Sequence, residues 1–173
     1  SDIIEKYNFH TGQLLSQRVK RYKDKPALIT IDGDNKQVIT YNKLWNDLTL
    51  TSKSFDSISK KKTIVAGVLS FNQYKSALID LCCLSFGYRI IPIPLNSTSE
   101  HLSYILNEAE ITHLFIGGEK AVQLWNSIHK HHNLEIIDIN EIGTIKGSPL
   151  SWEHFQDLGD NNKNYDPYIK NQN

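Results

Sequence analysis

A chain of 173 residues with 39% hydrophobic and 22% charged residues is long enough to bury one globular core, and one domain is the default expectation. Nineteen basic and nineteen acidic residues cancel and no basic face stands out, so neither nucleic acid nor an acidic membrane is expected as a partner. No apolar run approaches the roughly eighteen residues that span a bilayer, and "SDIIEKYNFH" lacks the basic and apolar regions of a secretory signal.

In chain order, "PALITI" (26–31) and "KQVITY" (36–41) flank "DGDN" and read as a short antiparallel hairpin whose turn uses Gly33 and Asn35 at positive φ. Thr40 then caps a helix with Tyr41, Leu44, Trp45, Leu48 and Phe55 on one stripe, interrupted at Thr51 and Ser52. Lys60 to Lys62 read as a polar turn. "TIVAGVLS" (63–70) is the continuous apolar run of a strand covered on both faces. The helix after it takes Asn72 as cap and Gly87 as stop, with Tyr74, Ala77, Leu78, Leu81, Cys82 and Ser85 facing the core. The adjacent Cys82 and Cys83 cannot cross-link distant segments. They read as small buried hydrophobes in a reducing compartment.

"YRIIPIP" is the next strand and "STSEHLSYILNEA" the next helix, opened by a Ser97–Glu100 capping box, with Leu102, Ile105, Leu106 and Ala109 inward. A third unit pairs "HLFIGG" with "EKAVQLWNSIHK", whose stripe is Ala121, Leu124, Trp125 and Ile128. "LEIIDIN" (134–140) is a further strand. This alternation implies an α/β fold: a mainly parallel sheet with helices on both faces, plus the N-terminal hairpin. Past Asn140 only the short helix "LSWEHFQDLG" is expected, and the domain reading is a body over 1–158 and a polar linker over 159–173.

Ligands of open α/β sheets bind at the carboxyl ends of the strands, which leaves three turns to weigh. "FNQ" after the first buried strand has no glycine, so it is neither a dinucleotide fingerprint nor a P-loop. "GGEK" (117–120) reads either as a backbone anion site or as a plain helix entry. "LNSTSE" offers the hydroxyls of Ser97 and Thr98, with Arg89 and His101 as the nearest cations in sequence, and capping alone accounts for it. His129 to His132 read as a solvated helix end more readily than as metal ligands, since no second half-site accompanies them. No catalytic, cofactor-binding or metal residue is assigned.

The order of segments says more than their chemistry. "DKPALIT", "VITYNKLWNDL" and the run from "FNQYKSALIDLCCLSFG" through "YRIIPIPLNSTSEHLSYILNEAEITHLFIG" resemble the N-terminal region of the adenylate-forming enzymes, over roughly Tyr22 to Ile137. That superfamily comprises acyl-CoA synthetases, luciferases and peptide-synthetase adenylation domains. Trp45, "IPIPLN" and "PLSWEHFQDLGD" look most like its long-chain fatty-acid–CoA ligase branch. Departures stand at Lys61 and Lys62, near Lys43, and at Gly87 and Tyr88, none a position of chemistry. The family's Ser/Thr/Gly-rich phosphate loop ending in Pro-Lys-Gly has no counterpart here.

The resemblance thus implies an inactive structural piece, without cofactor, of a ligase that uses ATP, Mg²⁺, CoA and a fatty acid. Its partners are the ATP-binding and C-terminal domains of the same chain, and its exposed face also suits a homodimer. The chain lacks methionine, including a start residue, and reads as part of a longer protein. Its location is expected to be cytoplasmic, with the parent peripheral to a membrane. Some relatives place the loop equivalent to Asn96, Ser97 and Thr98 near the CoA entrance, although no matching cation stands here. The competing reading is a non-enzymatic, flavodoxin-like binding module or a truncated paralogue.

Overall fold

The computed structural model describes residues 11–32, 34–59, 63–163 and 165. Strands β1 (Pro26–Asp32) and β2 (Asn35–Thr40) pair antiparallel from Pro26↔Thr40 to Asp32↔Asn35. Asn35, expected in the turn, is therefore the first residue of β2. The connection shrinks to Gly33 and Asp34, a two-residue hairpin link, and Gly33 lies outside the described residues.

Helix α1 (Thr11–Tyr22) precedes the hairpin and was not expected, because it has almost no apolar stripe: Gly12 is its buried residue and Leu15 packs only partly on the core. Its end is held instead by cations around one ring. Arg18, Arg21 and Lys25 stand 5.8, 5.5 and 5.5 Å from the centre of Tyr22.

Five parallel strands form the main sheet in the order β4-β3-β5-β6-β7. They are β3 (Val65–Ser70), β4 (Arg89–Pro92), β5 (His113–Gly117), β6 (Glu135–Asp138) and β7 (Leu150–Ser151). Every residue of β5 and all but the last of β3 are buried, as expected for strands covered on both faces. Alternation sorts their side chains. Ala66, Val68, Phe115 and Ile137 face one cluster, while Val65, Leu69, Leu114, Ile116 and Ile136 face the other.

The first cluster is roofed by α2 (Tyr41–Ser59), α3 (Tyr74–Phe86) and α6 (Trp152–Asn161). Phe55 is its centre, stacked on Tyr88 at 4.8 Å and meeting Phe155 edge-on at 5.7 Å. The second is roofed by α4 (Ser99–Glu108) and α5 (Glu119–Ile128), through Leu102, Leu106, Val122 and Trp125. The mixed α/β expectation, with helices on both faces and a separate hairpin, matches this arrangement.

Several local expectations shift. α2 runs unbroken through Thr51 and Ser52, which are fully buried because α6 lies against them. α3 is capped by Gln73, not Asn72, with Gln73 N donating to Ser76 Oγ at 3.1 Å. Its buried arc centres on Ile79, Cys82, Cys83 and Phe86, because α2 and the sheet grip it from two sides, and Ala77 stays exposed. Gly87 ends α3 at φ 77°, in the left-handed region expected of a stop glycine. α4 is capped by Thr98, one residue after the expected Ser97, with His101 N donating to Thr98 Oγ1 at 3.2 Å. The lysine turn at 60–62 and most of the expected linker, residues 164 and 166–173, lie outside the described residues. The 158/159 division falls inside α6.

Candidate functional site

All three turns stand at the carboxyl edge of the sheet: residues 71–73 after β3, residues 93–98 after β4, and Gly118 after β5. β3 leads to β4 on one side, and the chain then crosses over to β5 on the other. The switch point therefore falls between the ends of β3 and β5, where a doubly wound sheet opens a ligand crevice.

Here the protein's own side chains fill that crevice. Gln73 Nε2 donates to Ser70 Oγ at 2.8 Å and to Asn140 Oδ1 at 3.0 Å, and Asn140 Nδ2 donates back to Gln73 Oε1 at 2.9 Å. The reciprocal amide pair ties the β3–α3 turn to the chain just beyond β6. A β-carbon at Gly117 would stand 2.6 Å from Gln73 Nε2, and one at Gly118 would stand 2.8 Å from Phe71 Cδ1. The two glycines make room for Gln73 and Phe71 rather than for a phosphate. Of the two readings of "GGEK", the helix entry matches: Gly118, at φ 92°, is the N-cap of α5 and Phe71 covers it.

An open cleft of about 610 Å³ lies beside the filled crevice, between the β3–α3 turn and Pro92 to Leu95. Val68, Phe71, Ser76, Ala77, Asp80 and Pro94 are among its walls, and no lysine, arginine or histidine is among its described lining residues. A phosphate entering it would meet the carboxylate of Asp80 with no balancing cation. Arg89, the nearest arginine in sequence, opens β4 at the opposite edge of the sheet. His101 enters the cap through its backbone N–H.

One polar cluster escaped sequence reading. Lys75 Nζ donates to the Ile139 carbonyl at 2.7 Å and lies 5.4 Å from the ring centre of Trp152. Burial pushes its pKa down, partly opposed by the charges of Glu141 and Asp138. Buried Asp138 accepts from the backbone N–H groups of Asn140 at 3.2 Å and Gly143 at 3.1 Å, and Glu141 Oε1 accepts from Glu153 N at 3.0 Å. These bonds shape the loop between β6 and β7 and leave no nucleophile beside a base. The only signal was an Asp at a strand end followed by turn residues.

The histidines form a short 3₁₀ turn, His129–His131, after α5. His129 Nδ1 lies 3.0 Å from the Asn126 carbonyl, and His132 Nε2 lies 3.1 Å from Ser103 Oγ. Burial and then neighbouring His131 hold the His132 pKa below the usual range. Among the described residues no group of three or more His, Cys, Asp or Glu could hold a metal. Both cysteines are free and buried, with Cys82 pushed well above the usual thiol pKa and Cys83 up to about 12, each mainly by burial. Among the described residues no helix is long and apolar enough to cross a membrane.

Comparison with known proteins sets this frame in context. The family model for AMP-binding enzymes matches residues 15–168. Among curated relatives, the medium/long-chain-fatty-acid–CoA ligase FadD8 of Mycobacterium tuberculosis is 31% identical over 108 residues, 62% of this chain and 18% of that protein. The long-chain-fatty-acid–CoA ligase ACSBG2 of Xenopus laevis is 21% identical over 150 residues, 85% of this chain and 20% of that protein. The chain spans about a fifth of the length of these relatives.

Among solved structures, an R395G mutant of coronafacic acid ligase from Pectobacterium brasiliense superposes with a TM-score of 0.73 at 14% identity, covering 91% of this chain and 30% of that one. The N-terminal domain of FACL13 from Mycobacterium tuberculosis gives 0.67 at 14% identity, over 89% and 36% respectively.

Proposed function

Because the chain belongs to the AMP-binding enzyme family, we propose that it is the N-terminal α/β part of a long-chain fatty-acid–CoA ligase. The parent would activate a fatty acid with ATP and Mg²⁺ to an acyl-adenylate and pass the acyl group to CoA. The observation that carries this reading is the family match over residues 15–168 together with aligned relatives that are fatty-acid–CoA ligases. The role of the piece is structural. It supplies a rigid sheet and a wall for the nucleotide-binding half, the expected 158/159 boundary moving to the end of α6 at Asn161 because Gly159 packs on α2. Two features support this: the sequence has no Ser/Thr/Gly-rich loop ending in Pro-Lys-Gly, and the crevice that could take a cofactor is filled by Gln73 and Phe71.

The chain alone is expected to show neither ATP binding by calorimetry nor fatty-acid-dependent exchange of pyrophosphate into ATP. Binding at sub-millimolar affinity would overturn the structural role. The gene beyond Asn173 tests the parentage separately. A Ser/Thr/Gly-rich loop with Pro-Lys-Gly soon afterwards supports the ligase, and a stop codon there favours the non-enzymatic module. The filled switch point counts against a flavodoxin-like version of that module.

Ile29, Ile31 and Val38 are 51, 74 and 46% exposed on the hairpin. This apolar patch is the surface that the rest of the parent would cover, and in its absence a homodimer is expected there. Light scattering of the isolated chain checks it, a strict monomer at high concentration being the contrary result. The two free, adjacent thiols of Cys82 and Cys83 support a cytoplasmic location for the parent.

A further inference from the structure

The last turn of α6 and the residues described just after it touch α2 and its neighbours through a set of polar contacts. Ser57 Oγ shares its proton between the Lys53 carbonyl at 2.9 Å and the Leu158 carbonyl at 3.0 Å, and Asn162 Nδ2 donates to Asp56 Oδ2 at 3.1 Å. Three residues on, the Tyr165 hydroxyl lies 3.1 Å from Ser52 Oγ and 3.3 Å from the Tyr88 hydroxyl. Tyr88 in turn donates to the Ser52 carbonyl at 3.3 Å.

Each hydroxyl has one proton, and that fixes the direction of the set. Tyr88 spends its proton on the Ser52 carbonyl, so at their mutual contact Tyr165 donates and Tyr88 accepts. Tyr165 must then accept from Ser52 Oγ. The result is a ring that begins on the Ser52 side chain and closes on the Ser52 carbonyl, with every link polarising the next. Ser52 is fully buried, and Tyr88 is held in place by its stack on Phe55. Two of the three members therefore belong to the core before Tyr165 arrives.

We infer that Ser52 and Tyr88 form a built receptor for the Tyr165 hydroxyl, a clamp that fixes where the chain leaves the α/β body. Tyr88 directly precedes Arg89, the first residue of β4, so the clamp stands at the amino edge of the sheet, opposite the filled crevice. In the proposed parent this would set the side from which the next segment departs. The clamp itself rests only on contacts within this chain, so its failure would leave the proposed function standing.

Hydrogen–deuterium exchange on the whole chain tests the clamp, using Tyr165→Phe, Tyr88→Phe and the double variant. Tyr165→Phe keeps the ring and removes the central hydroxyl, so buried Ser52 Oγ loses its contact with Tyr165. Loss of a bond of this kind speeds local opening by about tenfold. The expected result is that both single variants accelerate exchange from Asn162 to Tyr165 by about that factor. The double variant should do no more than the stronger single one, because all three break the same ring. β5 should exchange as in the parent sequence. Unchanged exchange from Asn162 to Tyr165 in Tyr165→Phe, or fully additive effects of the two substitutions, would overturn the clamp. So would an equal acceleration in β5, which would indicate general destabilisation.

Discussion

Gly159 lies where α6 passes close against the backbone of α2. A β-carbon there would stand 2.7 Å from the Leu50 carbonyl and 2.9 Å from Ser54 N, both backbone atoms of α2 that cannot swing aside. Helix propensity alone predicts that Gly159→Ala stabilises α6 by about 1 kcal/mol. The contact predicts the opposite sign, a loss of about 2 kcal/mol from overpacking. A urea denaturation series decides between them, and a raised midpoint would mean that α6 can lift off α2 at little cost. In the sequence this glycine reads as the end of a helical pattern. Its packing role depends on Leu50 and Ser54, more than a hundred residues away, and no local pattern reports such a pairing. Gln73 and Asn140 show the same limit, since the three turns are legible as places but their filling needs a partner 67 residues distant.

At the scale of elements, the legible parts are those whose burial is decided by their own residues. β3 and β5 are short apolar runs and are buried as such, and the stripes of α4 and α5 fall on the core as their spacing predicts. α1 and β7 escape because neither carries its own signal: α1 buries only Gly12, and β7 has two residues that gain strand geometry by pairing with β6. Helix boundaries slip by single residues for a related reason, as α4 shows. Ser97 and Thr98 both suit a cap, and only backbone geometry selects one of them. Thr98 Oγ1 accepts from His101 N, whereas Ser97 Oγ is buried without a hydrogen bond. Thr98→Ala should therefore cost about 1 kcal/mol in urea denaturation. Ser97→Ala should be neutral within about 0.5 kcal/mol, or slightly stabilising. The reverse ranking would restore the Ser97 cap.

The whole molecule keeps several weak acids in neutral form inside one core. α3 is wedged between α2 and the sheet, and it carries Cys82 and Cys83 into that space. Burial raises both thiols, Cys83 to about 12, and also raises the phenols of Tyr74 and Tyr88. Asp47 adds to the Tyr74 shift and Tyr165 to that of Tyr88. A folded pKa above the unfolded one means that the folded state holds its proton longer. The associated stability is complete below the unfolded thiol value of 9.0. Above it the unfolded chain sheds protons that the folded chain retains, and stability falls by about 1.4 kcal/mol per pH unit for each group involved. From about pH 10 the two phenols add to the slope. The urea midpoint should thus be flat from about pH 7 to 8.5 and then decline with growing steepness. Replacing both cysteines by alanine should lower stability near neutral pH through lost packing, yet delay the onset of the decline toward pH 10, so that the gap to the unsubstituted chain narrows as the pH rises. A midpoint that stays level to pH 11, or an onset unmoved by the double substitution, would mean that the thiols are not held neutral by the core.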